Sequence, residues 1–365
     1  MEDKRKAPVN GGKVYKECME KVSANVNAFV KNKIRSLNLP SDLEETLLLL
    51  PRKRENKKVM RPTVSYLLYR IYGGQEPIDR LTPFLALSEL NNYYCYLDNW
   101  ILDDKEGIKG DIDKIRGVTI ASAVLRELTQ SVLEGLDISE EERRRISLRL
   151  AETTTRSYEG QFRDLSMTFD SIGSYPSEED YVKAYVEKSR LQSGFLYGLS
   201  GEIGTVCARA GELEIERVRK ICETLGTGIH ISNDLGDFSV FIEDDGSFKP
   251  SQDQLADLIN GRLTFPAYYT LKHGDEKEKK ALFDLIGRRE ATREERLRAS
   301  QSIVSSGAYD TIRGLLNDFY HEFKRGVHRL PVCAERDALS SVGETIRYNK
   351  YLRGLQKLNR ARFGE

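Results

Sequence analysis

The window Ile229-His230-Ile231-Ser232-Asn233-Asp234-Leu235-Gly236-Asp237 gathers hard oxygen donors within otherwise apolar sequence. On a helix Asn233 and Asp237 stand four residues apart and share a face, with Asp234 beside them. That pattern suits Mg²⁺, which keeps several of its waters and takes one or two carboxylates together with phosphate oxygens of a substrate. A second window, Tyr93-Tyr94-Cys95-Tyr96-Leu97-Asp98-Asn99-Trp100-Ile101-Leu102-Asp103-Asp104, repeats the theme. Asn99 and Asp103 are again four apart, and Asp98 and Asp104 occupy neighbouring positions. Two such helices facing each other would make a bilateral magnesium site for a diphosphate.

The elements that must position these residues read as helices. Only ten prolines occur in 365 residues, and apolar residues recur every three or four positions through nearly every segment. Turn signals at Leu39-Pro40-Ser41, Tyr72-Gly73-Gly74, Lys105-Glu106-Gly107, Ile172 to Pro176, Asp244 to Pro250 and Lys272-His273-Gly274 separate about ten to twelve helices. Ser177-Glu178-Glu179-Asp180 reads as an N-cap followed by acidic residues that complement the helix dipole, opening a helix that runs towards Arg209. On that helix Gly194, Gly198, Gly201 and Gly204 recur at helical spacing. Each interior glycine costs roughly 1 kcal/mol of propensity against alanine, so another helix or a ligand must approach that face closely. The expectation is an all-α chain: a flexible tail over residues 1–12 and a single large helical domain over 13–365, without internal repeats or a low-complexity linker.

Composition narrows the function. The 57 Lys and Arg balance the 57 Asp and Glu, so no long-range field favours a nucleic acid or an anionic membrane as partner. Affinity must come from a local site. Five scattered cysteines without a CxxC pair argue against a disulfide framework or structural zinc and point to a reducing, cytoplasmic compartment. No stretch approaches the roughly 18 uncharged apolar residues of a spanning helix, and no apolar run follows the charged N-terminus.

Six segments, taken in order, resemble the polyprenyl synthetase family, the trans-isoprenyl diphosphate synthases. Lys58-Val59-Met60-Arg61-Pro62 is similar to the family's GKxxRP segment, and Glu89-Leu90 through Asp103 to the helix that ends in its first aspartate-rich motif, DDxxD. Gly160-Gln161 with Asp164-Leu165 resembles GQxxDL, and Glu187-Lys188-Ser189 resembles the KT motif. Asn233 to Asp237 matches the second DDxxD, and Asp257-Leu258-Ile259-Asn260-Gly261-Arg262-Leu263-Thr264-Phe265-Pro266 looks like DLxxGKxTLP. The resemblance runs roughly from Leu39 to Pro331. It implies the class I isoprenoid synthase fold, an all-α bundle around a central cavity, and usually a homodimer.

It also implies roles. Mg²⁺ would be bound by Asn99, Asp103, Asn233, Asp234 and Asp237, with Asp98 and Asp104 as possible substitutes. Lys188, Gln161 and Asp237 would act on the departing diphosphate of an allylic isoprenyl diphosphate, with Lys249 and Arg262 nearby. Lys58 and Arg61, with Asn92, would hold isopentenyl diphosphate. Tyr94, five residues before the first motif, would close the floor of an apolar tunnel and favour a product near C15 or C20; Tyr93 and Tyr96 lie at similar depth, roughly 5 to 9 Å along the helix axis.

The departures from the family are specific. An ungapped alignment on Glu89-Leu90 turns the first DDxxD into Asn99-Trp100-Ile101-Leu102-Asp103, replacing one carboxylate by an amide and another by an indole. Asp98 or Asp104 can compensate only through a shifted geometry, because one residue of slip rotates a helical side chain by about 100°. The family's His after Glu-Leu is Asn92, and its Arg-Arg-Gly is missing from Asp104 to Gly110. The leading expectation is therefore a prenyltransferase that condenses an allylic diphosphate with isopentenyl diphosphate. A terpene cyclase working on one diphosphate and a non-catalytic subunit of a heteromeric synthase are the alternatives.

Overall fold

The computed structural model describes residues 11–53, 59–239, 241–242, 248–249, 255–288, 290–347 and 352–363. In chain order the α-helices are α1 (Gly11–Arg35), α2 (Ser41–Lys53), α3 (Met60–Ile71), α4 (Ile78–Leu102), α5 (Ile112–Glu134), α6 (Glu140–Ser166), α7 (Glu178–Ser189), α8 (Phe195–Cys207) and α9 (Glu212–Asp237). A hairpin of β1 (Phe241–Ile242) and β2 (Phe248–Lys249) follows. Then come α10 (Ala256–Ile259), α11 (Phe265–His273), α12 (Glu276–Phe283), α13 (Arg293–Ser305), α14 (Ala308–His328), α15 (Ala334–Val342), α16 (Glu344–Arg347) and α17 (Arg353–Phe363). The fold is all-α. Its described residues form seventeen α-helical segments rather than ten to twelve, because short pieces such as α10 and α16 follow turns that the hydrophobic period does not register. Gly11 and Gly12 belong to α1, not to a tail: a Cβ on Gly11 would lie 2.6 Å from the Asp337 carbonyl oxygen, so the start of α1 packs tightly on α15.

Two compact units emerge, each assembled from three separated stretches of chain: Met1–Tyr158, Gly194–Glu223 and Phe323–Val342 in the first, and Glu159–Ser193, Thr224–Glu322 and Gly343–Glu365 in the second. No single cut of the chain separates them.

In the first unit α4 and α8 are the central helices. Every residue from Phe195 to Val206 on α8 is buried, and α4 buries sixteen of its residues on all sides, as expected of helices without a solvent face. The glycines of α8 are explained by helix packing. A Cβ on Gly201 would come within 2.8 Å of the Cys222 sulfur, one on Gly198 within 2.9 Å of Glu223, and one on Gly204 would overlap the Ser65 carbonyl oxygen on α3. The Ser65 hydroxyl donates to the Ser200 carbonyl at 2.7 Å across the same seam. Gly204→Ala is therefore expected to force α3 and α8 apart and to cost about 1–3 kcal/mol, the usual range for overpacking a close-packed interior. Thermal unfolding of the variant several degrees below wild type checks this; an unchanged Tm contradicts it.

Local signals set the helix starts. The Ser177 hydroxyl accepts the Asp180 N–H at 3.1 Å and begins α7, while Thr292 with Glu295 and Asp275 with Glu278 form capping boxes on α13 and α12. A π turn at Arg190–Gly194 joins α7 to α8.

Candidate active site

Lys188 organises the site of the second unit. It lies at the end of α7, its side chain 2% exposed, with Nζ 2.9 Å from Asp164 Oδ1 on α6 and 3.3 Å from Asp234 Oδ2 on α9. Burial works against the ammonium, but the two carboxylates outweigh it and hold its pKa above the ordinary lysine value. At Asp164 burial likewise opposes charge, yet Lys188 and then Arg262 keep the carboxylate below its usual range. The cluster is a charged network inside the protein, closed by two further side chains. The Tyr185 hydroxyl donates to Asp234 Oδ2 at 2.8 Å, and His230 Nε2 stands 3.5 Å from Lys188 Nζ and 3.7 Å from Asp234 Oδ1.

Arg262 reaches this cluster because of a glycine. Gly261 adopts a φ of +73°, a left-handed conformation that glycine accepts without a Cβ penalty. The chain turns there and runs back along the end of α6, with an antiparallel bridge between Thr168 and Arg262 and a bond from Leu263 N–H to the Met167 carbonyl at 2.8 Å. Arg262 Nε then sits 3.8 Å from Asp164 Oδ2. Beneath the cluster, Tyr181 stacks on Tyr268 with centroids 3.6 Å apart and donates to the Leu263 carbonyl at 2.6 Å. Lys188 Nζ lies 4.8 Å from the Tyr185 ring centroid.

Gln161, three residues before Asp164, is buried, and its Oε1 accepts from Gln192 Nε2 at 2.8 Å. This brings the π turn onto α6. Gly160 makes the approach possible, since a Cβ there would lie 2.8 Å from the Gln192 backbone nitrogen. Asn233 is exposed and Asp237 half-buried, one turn apart on α9; Asp237 Oδ2 accepts the Asp257 N–H at 3.4 Å. Lys249 lies on β2, in register with Phe241.

The first unit holds the other predicted residues. Lys58 lies outside the described residues. Arg61 on α3 is half-buried, with its guanidinium carbon 5.0 Å from the Tyr197 ring centroid and its Nε without a hydrogen-bond partner among the described residues. Burial pushes the Cys95 thiol on α4 up to about 12, with the Arg61 charge acting weakly in the opposite direction. Asn92, also on α4, is buried, and its Nδ2 likewise lacks a partner there. Two polar groups of this kind, each costly to leave unsatisfied, suit an anionic ligand with both charge and acceptor oxygens.

At the first aspartate-rich window the side chains divide their work. Asp98 Oδ2 accepts from the Tyr158 hydroxyl and pairs with Arg126 at 3.6 Å. Asp104, at φ +51°, accepts the Lys109 N–H at 2.8 Å from within the 3₁₀ turn Lys105–Gly110 that follows α4. Both carboxylates thus carry structural bonds. Asn99 and Asp103 are half-buried at the end of α4, where the Asp103 N–H donates to the Asn99 carbonyl at 2.9 Å. Trp100 is 3% exposed and packs into the apolar core, with Lys114 Nζ 5.3 Å from its ring.

Tyr94 is buried with its hydroxyl bound. It pairs with Thr154 Oγ1 at 2.5 Å and accepts from Asn91, and the Arg126 guanidinium lies 5.3 Å from its ring. Burial pushes its pKa up to about 12. A cavity of about 1210 Å³ in the same unit opens among Leu81, Phe84, Val206 and Ile215. It is remote from the motif, since fourteen helical residues at 1.5 Å each put Phe84 roughly 21 Å along α4 from Asp98.

Sequence reasoning left three participants out. Asp164 appears only as a motif position, Tyr185 is not singled out although it precedes Lys188 by three residues, and His230 is given no role. The helical spacing of Tyr185 to Lys188 and of Gln161 to Asp164 was the available signal.

Among the described residues no group of three or more His, Cys, Asp and Glu side chains forms a ready metal cage. Asn233 and Asp237 nevertheless fit magnesium: one carboxylate and one amide oxygen on an accessible helix face leave room for waters and phosphate oxygens, the coordination this ion prefers.

The helical architecture brings an acid and lysine cluster to the end of α9. The polyprenyl synthetase family model matches residues 114–304, and the chain belongs to this family of prenyltransferases. It is 28% identical over 264 residues to the geranylfarnesyl diphosphate synthase of Aeropyrum pernix, covering 69% of this chain and 77% of that one. In structure it is similar to a geranylgeranyl pyrophosphate synthetase from Pyrococcus horikoshii Ot3, with a TM-score of 0.74 at 18% identity over 92% of this chain and 98% of the other. It is also similar to a polyprenyl synthase from Caulobacter crescentus CB15 complexed with calcium and isoprenyl diphosphate, with a TM-score of 0.72 at 18% identity over 94% and 99%.

Proposed function

We propose that this enzyme ionises an allylic isoprenyl diphosphate and condenses it with isopentenyl diphosphate, with magnesium as cofactor. The observation that carries the proposal is the buried Lys188, with Asp164, Asp234 and Arg262 around it, beside the Asn233 and Asp237 face. The carbon–oxygen bond of the allylic substrate breaks and its electron pair leaves with the diphosphate. Lys188 and Lys249 supply positive charge to that leaving group, and Gln161 and Arg262 keep the lysine's surroundings in place. Magnesium, when bound, neutralises diphosphate charge as it develops. Asn233, Asp234 and Asp237 are the donors proposed for it in the second unit; Asn99 and Asp103 are proposed separately as the oxygen donors of the first unit. The double bond of isopentenyl diphosphate then attacks the allylic cation, a carbon–carbon bond forms, and diphosphate takes the released proton.

Isopentenyl diphosphate is assigned to Arg61 and Asn92, with Lys58. A diphosphate leaving water must be met by paired cations and donors, and the buried Arg61 Nε and Asn92 Nδ2, without hydrogen-bond partners among the described residues, support this assignment. The bound Tyr94 supports a closed tunnel floor and a product near C15 or C20. The proposal includes a cytoplasmic homodimer acting as one catalytic domain. The five free cysteines support the compartment, and Ile112 and Ile120, 58% and 52% exposed on α5, suit contact with a second copy.

Arg61→Ala is expected to raise the KM for isopentenyl diphosphate at least about 10-fold, a charge-assisted hydrogen bond lost, while the KM for the allylic substrate changes much less. Steady-state kinetics with each substrate varied in turn checks it. Equal effects on both substrates, or on neither, contradict the assignment of Arg61.

A further inference from the structure

In the second unit a cavity of about 550 Å³ lies between α14 and α17. Two helices ordinarily meet through apolar stripes, but every residue lining this cavity except Gly314 carries a polar side chain. Tyr309, Arg313 and Asn317 follow one another at four-residue spacing on α14, and Gln356, Asn359 and Arg360 form the facing stripe on α17. Asn359 Nδ2 donates to Asp310 Oδ1 at 3.3 Å, which ties the helices together and fixes the orientation of that amide. The Asn359 Oδ1 and Asn317 Oδ1 atoms are buried and lack hydrogen-bond partners among the described residues. Arg313 donates to the Tyr309 hydroxyl at 3.0 Å. No carboxylate of the described residues forms an ion pair with Arg313 or Arg360, so the lining, with two guanidiniums and the single carboxylate of Asp310, is net positive.

We propose that this cavity is a second ligand site, distinct from the Lys188 cluster, for a small phosphomonoester with hydroxyls on neighbouring carbons. Guanidinium forks match phosphate oxygens, and the two buried amide oxygens accept from hydroxyl donors, satisfying atoms that otherwise stay unpaired. The volume falls in the range of small-molecule sites, roughly 300–1,000 Å³. A sugar phosphate, a nucleoside monophosphate and a lipid-derived glycerol phosphate share this chemistry.

Isothermal titration of the full chain with inorganic phosphate, glycerol 3-phosphate, ribose 5-phosphate and adenosine 5′-monophosphate tests the site. The expected result is saturable binding of at least one phosphomonoester, at least about 10-fold tighter than inorganic phosphate because the hydroxyls find the amide oxygens. The preferred probe identifies the source. Arg313→Ala and Arg360→Ala, both at the surface of a helix pair, are expected to weaken that binding at least about 10-fold each, with circular dichroism unchanged. Arg61→Ala, in the other unit, should leave it intact. Absence of binding for all four probes, binding indifferent to Arg313 and Arg360, or binding lost in Arg61→Ala overturns the proposal; the first two outcomes leave the prenyl-transfer reading untouched, and the third places the probe at Arg61 instead.

Discussion

Asp237→Asn is expected to lower turnover at least about 100-fold, some 2.7 kcal/mol of transition-state stabilisation, while helix content and Tm stay near wild type. Asparagine keeps the side-chain length and an oxygen that can still accept the Asp257 N–H. What it removes is the negative charge proposed to hold magnesium on the accessible face of α9. A higher half-saturating magnesium concentration should accompany the loss, since a weakened ligand set needs more free ion to fill. Near wild-type turnover at ordinary magnesium would remove Asp237 from the metal site, whatever the fate of the remaining assignments.

The largest stability effect is expected at Glu202. Its side chain on α8 is 2% exposed, with the carboxylate 2.8 Å from Arg145 Nε and 2.5 Å from Arg149 Nε on α6. Arg145 also pairs with Glu212. Glu202→Ala leaves two partly buried guanidiniums facing each other without the carboxylate between them. Removing one partner of a buried pair costs about 3–5 kcal/mol, equivalent to a Tm lower by on the order of 10 °C. A double-mutant cycle with Arg149→Ala isolates the pair, because a coupled pair gives a double variant less destabilised than the sum of the singles. Strict additivity would show that the Arg149 pair does not carry the effect of Glu202.

Much of this was legible in the residues themselves. The helical period marks an all-α chain, and Ser177 caps α7 as its spacing with Asp180 implies. The glycine ladder on α8 announces close approach without naming what approaches; only the structure shows α3 at Gly204 and α9 at Gly198 and Gly201. The Lys188 cluster was half visible. Lys188 and Asp234 stand out as charged residues in motif positions, but 46 residues separate them, and no local pattern reveals that Asp164 meets both through Lys188. The first aspartate-rich window was the hardest to read. Asp98 looks like a substitute ligand by type, yet Tyr158, sixty residues away, claims its carboxylate. Trp100 looks like a disrupted ligand and is a core residue. In each case the deciding partner lies on another helix, where spacing along one helix carries no information.

The central claim is tested most directly by mass spectrometry of the products formed with magnesium and geranyl, farnesyl or geranylgeranyl diphosphate, each with and without isopentenyl diphosphate. The account predicts diphosphates lengthened by five carbons per condensation, formed only when isopentenyl diphosphate is present and ending near C15 or C20. Terpene hydrocarbons formed from the allylic diphosphate alone, or no product from any substrate pair, would contradict it.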